Sequence, residues 1–210
     1  MLAGETASYG GYQYCLFPLD YIYCNQESGP STLSHCCGHA ADWGGQYNNY
    51  PYYAPFDCHR TYILSSNGET VYTSDYPVWT PSGLSYVSVE FAHDNSIPSQ
   101  TSFRQGELIG HTGTAGGVGD HVHMDQSLIA NDVPTSYGIY CTYGNLCYAL
   151  SDSHLPDQVF YITGNESIVR PLSNNFQTVP TTPPTPPTPS VRRKMPLWMK
   201  YYTIKHGYFI

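Results

Sequence analysis

A chain of 210 residues, 11% of them charged and 21 of them tyrosine, is long enough for one well-cored domain with an appendage. All 16 acidic residues precede position 191, where only Arg60, Arg104 and Arg170 oppose them, for a net of −13; Arg192, Arg193, Lys194, Lys200 and Lys205 then give the last stretch +5. So acidic a body has little with which to neutralise phosphate, which argues against nucleic acid as a partner, and no apolar run reaches the roughly 18 residues of a membrane span.

From the start, MLAGETASYGGYQYC has neither the basic segment nor the apolar core of an export signal. Short aromatic and Thr/Val-rich runs, set apart by Gly, Pro, Asn and Ser, predict strands and loops throughout, and no helical periodicity is long enough to compete. A first strand is predicted at YQYCLF, residues 12–17. STLSHCCGHAADWGG, residues 31–45, then gathers His35, His39 and Asp42 just ahead of a Trp-Gly-Gly turn. Imidazole nitrogen and carboxylate oxygen are both zinc donors. RTYILSSNGETVYTS, residues 60–74, reads as a hairpin turning at Asn67-Gly68, a dipeptide that accepts the positive φ of a tight turn. In LSYVSVEFAH, residues 84–93, Val87, Val89, Phe91 and His93 alternate onto one face, so His93 ends an apolar stripe.

GELIGHTGTAGGVGDHVHMD follows, residues 106–125. Its glycines are not a phosphate loop, because no Lys-Ser/Thr comes after them; they suit tight turns and close backbone approach. If residues 121–125 are extended, His121, His123 and Asp125 share a face, with the two imidazoles about 6.6 Å apart along the strand. One can then bind a metal while the other stands just beside it. The seven cysteines include no C-x-x-C pair, which argues against a zinc knuckle, and their odd number leaves at least one unpaired. Cys141 and Cys147 are close enough in sequence to bridge a short loop, but connectivity is open. TVPTTPPTPPTPS, residues 178–190, is a Pro/Thr-rich extended linker. It divides a body, 1–177, from a basic, aromatic tail, 191–210.

The order His…Asp, then VEFAHD with His93, then RQGELIGHTGTAGGVGDHVHMD, resembles that of the lysostaphin/LytM-type zinc metallo-endopeptidases (metallopeptidase family 23), which cut peptidoglycan peptides. The glycine-rich stretch is similar to that family's signature leading into His-x-His. LFPLD and YAPFDC also look like the family's opening strand and the segment after its metal aspartate. The resemblance covers about residues 12–130. Many members space the first pair as His-x-x-x-Asp. Here His39 stands three residues before Asp42 and His35 seven. The seven-residue step resembles a variant of phage-borne members, so the resemblance favours His35, with His39 as its competitor.

What the resemblance implies is a mainly β fold: an antiparallel, LytM/lysostaphin-like (duplicated hybrid motif type) peptidase domain with loops and few helices, carrying an extended C-terminal tail. Zn2+ is its implied cofactor, held by His35, Asp42 and His123. His93 and His121 are its implied catalytic residues, beside the bound water. Asp125 stands where the family often has Glu and is expected at the surface or orienting a ligand. Cys36 and Cys37 are expected to pack or pair, and His59, His111, His154 and His206 to lie at the surface. The implied substrate is the peptide of bacterial peptidoglycan. Without an export signal, and with a Pro-rich stem, the chain suits a phage virion: the tail segment would dock on phage tail proteins, and the enzyme would act on the extracellular cell wall. A lysin released into the host cytoplasm is the alternative, and a non-catalytic peptidoglycan-binding or activating module the rival of another class.

Overall fold

A computed structural model describes residues 1–21, 23–26, 40–132, 146–149, 159–163, 166–170 and 177–180. These residues are mainly antiparallel β, and among them the 3-10 turn Ser65–Asn67 is the one helical element. Seven strands form the central sheet, in the order Ser102–Phe103, Cys58–Leu64, Glu69–Ser74, Ser88–Ala92, Val122–Ser127, Ala41–Gly44 and Tyr23–Gln26. Every neighbouring pair in it is antiparallel. Among the described residues no helix is long and apolar enough to cross a membrane.

Period-two patterning builds the core. Val89 and Phe91 on one strand, Val122 and Met124 on the next, face a cluster that includes Phe17, Trp43, Tyr52, Tyr72 and Phe103. Rings meet there edge-on or tilted: Phe17 and Trp43 lie 4.9 Å apart, Tyr52 and Phe91 4.8 Å. Such pairs add about 0.5–1.5 kcal/mol to the gain from buried area. The intervening residues are buried too, yet polar: Ser88, Glu90, Asp125 and Ser127. Thr73 and Ser88 share a hydroxyl hydrogen bond of 2.9 Å on that second face, and Ser88 donates to the Ile129 carbonyl. A smaller cluster of Met1, Tyr14, Leu16, Trp79 and Tyr148 sits apart from the main core.

Three predicted elements differ in detail. The 60–74 hairpin turns through Ser65–Asn67, and only Gly68 takes the left-handed conformation, at φ 61°. A side chain at Gly68 would collide with the Asp94 carbonyl, so the four-residue turn, not Asn67-Gly68 alone, fits the space. The 84–93 run breaks into Gly83–Ser85 and Ser88–Ala92, and His93 leaves the strand at φ 80°. It therefore does not end the stripe by simple alternation. Of YQYCLF only Tyr12–Gln13 joins a ladder; Tyr14 and Leu16 make isolated bridges to Trp79 and Tyr148. Near the predicted linker, Gln177–Thr178 pairs in parallel with Tyr148–Ala149 and Val179 packs on the smaller cluster. The linker from 181 onward and the tail 191–210 lie outside the described residues.

Candidate metal and catalytic centre

The strand Ala41–Gly44 runs antiparallel to Val122–Ser127 with Asp42 opposite His123. Directly opposed residues project to the same face, so the register alone brings carboxylate and imidazole together. His123 Nδ1 lies 3.1 Å from Asp42 Oδ1, and His121 Nε2 lies 3.4 Å from the same oxygen. His121 is held by a two-way backbone pairing with Gly113, 3.0 and 3.1 Å. On its other side His123 is opposite Ala92. The backbone reverses at His93, immediately after Ala92, and lays the third ring over the other two: its centroid is 4.6 Å from that of His121 and 5.9 Å from that of His123.

Two carbonyls fix the rings. His93 Nδ1 bonds the Ala115 carbonyl at 2.8 Å and His121 Nδ1 the Gly119 carbonyl at 2.7 Å. A carbonyl only accepts, so each Nδ1 carries its hydrogen and each Nε2 is the nitrogen left for chemistry. Burial draws His93 below the usual histidine pKa; the Ala115 carbonyl opposes this and the neighbouring His121 and His123 reinforce it. Burial draws His121 down as well, but the Asp42 contact and charge, the Gly119 carbonyl and Asp120 outweigh it and leave the pKa raised.

Asp42 and His123 are donor types that zinc accepts, and their spacing is compatible with two corners of its coordination sphere as well as with a hydrogen bond between them. A tetrahedron with bonds of 2.0–2.1 Å has ligands separated by about 3.3 Å, close to the 3.1 Å between His123 Nδ1 and Asp42 Oδ1. Among the described residues no group of three or more His, Cys, Asp or Glu closes around a metal position; Asp42 and His123 supply two donors. His35 and its competitor His39 lie outside the described residues, as do Cys36, Cys37, Cys141, His154 and His206.

Of the other singled-out residues, Asp125 is not at the surface: it is 1% exposed, opposite Glu90 on the buried polar face, and one of its oxygens accepts the Gln126 amide. His59 pairs with Asp75 at 2.7 Å, both side chains exposed, on a strand separated from Val122–Ser127 by two others. A recess of about 530 Å³ on that side is lined by Asp57, Asp75, Tyr76, Phe103, Arg104 and Glu107, none of them from the histidine cluster. His111 is half-buried, its amide bonded to Asp94.

Sequence reasoning missed the groups that hold the histidines. Asp120 accepts from Thr112 Oγ1 at 2.6 Å and from the Asn49 amide at 3.0 Å, tying the segment before His121 to the 45–50 loop. Asp94 accepts the amides of Ser96 and His111. The signal available was each acid's place directly beside a histidine. The Ala115 and Gly119 carbonyls leave no mark in side-chain spacing.

No family model matches the chain. It is 33% identical over 120 residues to Morphogenesis protein 1 of Bacillus phage B103, an alignment covering 55% of this chain and 32% of that protein. The chain thus spans about a third of the length of this curated relative. The crystal structure of a zinc-containing peptidase from Vibrio cholerae aligns with 59% of this chain and 42% of its own, at 15% identity and a TM-score of 0.39, a likeness too slight to argue from.

Proposed function

We propose that this chain is a zinc-dependent endopeptidase of a phage particle, hydrolysing peptide cross-links of bacterial peptidoglycan. The observation that carries the reading is the convergence of Asp42, His121 and His123 within 3.4 Å of one carboxylate oxygen, beneath a third imidazole. Asp42 and His123 would hold the metal, with His35 completing the set. Bound zinc brings its water's pKa towards 7 and polarises the scissile carbonyl. His93 and His121 keep Nδ1–H on backbone carbonyls, which turns their Nε2 atoms towards the site; there His93 Nε2 would accept or donate a proton beside the reacting peptide, and His121 Nε2, held against Asp42, would donate one. The 114–119 loop that carries those carbonyls is largely exposed, which leaves peptide an open approach. The acidic body favours neutral or cationic wall peptides over polyanions.

The 33% identity to a phage morphogenesis protein supports assembly into a particle, with the basic tail as the dock for tail proteins. Clearing of purified cell walls tests the activity. The wild type should clear them, and chelation should stop it. His93→Ala and His121→Ala should keep zinc and lose clearing, whereas Asp42→Ala and His123→Ala should lose both. Clearing that survives complete zinc removal would overturn the mechanism. Zinc content of His35→Ala against His39→Ala assigns the remaining ligand. Presence in purified particles supports the virion reading; presence in lysate alone favours the lysin.

A further inference from the structure

We infer that Cys15 and Cys147 form a disulfide that locks the N-terminal segment to the 146–149 segment. Their sulfurs lie 3.3 Å apart and both residues are fully buried in the main core. The backbone makes this contact systematic. Leu16 bridges Tyr148 in parallel; Tyr148 donates its amide to the Cys15 carbonyl at 2.7 Å, and Phe17 donates its amide to the Tyr148 carbonyl at 2.9 Å. With Leu16 and Tyr148 in register, Cys15 and Cys147 are the neighbouring pair one residue earlier, and their side chains leave on the opposite face. The core assignment agrees: Leu16 and Tyr148 belong to the smaller cluster, Cys15 and Cys147 to the main one.

Paired strands run about 4.8 Å apart, inside the roughly 4.4–6.8 Å between α-carbons that disulfides bridge. Closing the bond therefore needs side-chain rotation and no strand movement. Gln126 pins the site from the third side: its amide nitrogen reaches Cys147 Sγ at 2.9 Å, and its oxygen accepts the Leu146 amide at 2.9 Å.

Formation needs an oxidant, which we take to be a small disulfide such as oxidised glutathione. One thiol loses its proton and attacks a glutathione sulfur, releasing one glutathione thiol. The second cysteine, as thiolate, then displaces the other glutathione. Two protein thiols are oxidised, one small disulfide is reduced, and two glutathione thiols leave. Burial pushes the Cys15 thiol well above its usual pKa, and only the thiolate attacks. The bond accordingly forms while the chain is folding and, once closed, is shielded from reductant.

The test is peptide mapping of the full chain, folded with oxidised glutathione, denatured, alkylated without reduction and digested. A peptide pair joined through Cys15 and Cys147 is expected, persisting after native reductant treatment and lost when denaturant is added. Alkylation of both residues, or a bond from either to another cysteine, overturns the inference. As a second measurement, wild type reduced in denaturant and refolded in reductant should melt lower than the oxidised protein by on the order of 10 °C. Cys15→Ala/Cys147→Ala should show no such shift and Cys58→Ala should keep it; an equal shift in the double variant counts against the bond. If the double variant fails to fold, the peptide map alone decides.

Discussion

Gly113 serves both histidine-bearing segments. It exchanges two backbone hydrogen bonds with His121, and a β-carbon on it would stand 2.2 Å from the His93 carbonyl oxygen and 3.0 Å from the Asn95 amide. Those atoms are backbone and cannot rotate away, so Gly113→Ala must separate His93 from His121. A displacement approaching 1 Å beside a reacting centre costs about 100-fold. We expect the variant to retain zinc, since Asp42 and His123 are paired elsewhere on the sheet, and to clear walls 10- to 100-fold more slowly by this estimate. Wild-type clearing by folded Gly113→Ala would show that the spacing of the two rings is immaterial. At this scale the sequence made the donor atoms legible: the placement of His121 and His123 on one face follows from a period of two. It did not make His93 legible as a residue outside its strand, because a positive φ in a non-glycine residue is set by the Asn67 carbonyl that accepts its amide and by the glycines packed against it.

The strand Ser88–Ala92 shows what alternation conveys about an element and what it omits. Val89 and Phe91 were readable as core, and both are fully buried. Phe91 touches Tyr52 and Tyr72, so Phe91→Ala removes a ring that its neighbours cannot replace, at an expected cost of about 3–5 kcal/mol. Ile63→Ala, on a side chain 46% exposed, should cost under about 0.5 kcal/mol. Urea unfolding of the two variants measures the contrast; equal midpoints would show that the core does not run through this strand. On the other face, the expectation for Asp125 stands between the surface and the orientation of a ligand, and its burial removes the first. Alternation assigns Glu90 and Asp125 to the side away from the apolar core, and polarity then suggests water. Whether that side is covered depends on distant chain segments, which local pattern does not report. The hairpin turn has the same limit: Asn-Gly signals where a chain reverses, while Asp94 packed beneath Gly68 determines how many residues the reversal takes.

At the scale of the whole molecule, two of the proposed metal ligands, Asp42 and His123, sit on a sheet held by its own backbone ladder and core packing. Asp42 and His123 belong to strands joined by backbone pairing from Ala41–Met124 to Trp43–Val122, and Val122, Met124 and Trp43 are buried in the main core. Folding should therefore precede metal binding, unlike small zinc modules that unfold when stripped. Chelation is expected to leave the strand signal in circular dichroism intact while lowering the melting temperature. The size follows from linkage: a ligand that binds only the folded state adds about 2.7 kcal/mol at 100 times its dissociation constant, which for a chain of this length is about 5–10 °C. Asp42→Ala should melt at one temperature with or without added zinc, since its contribution to the site is gone. If chelation instead abolished the strand signal, the metal would be part of what folds the sheet, and the ladder between Ala41–Gly44 and Val122–Ser127 would be a consequence of the ligands rather than the frame that brings them together.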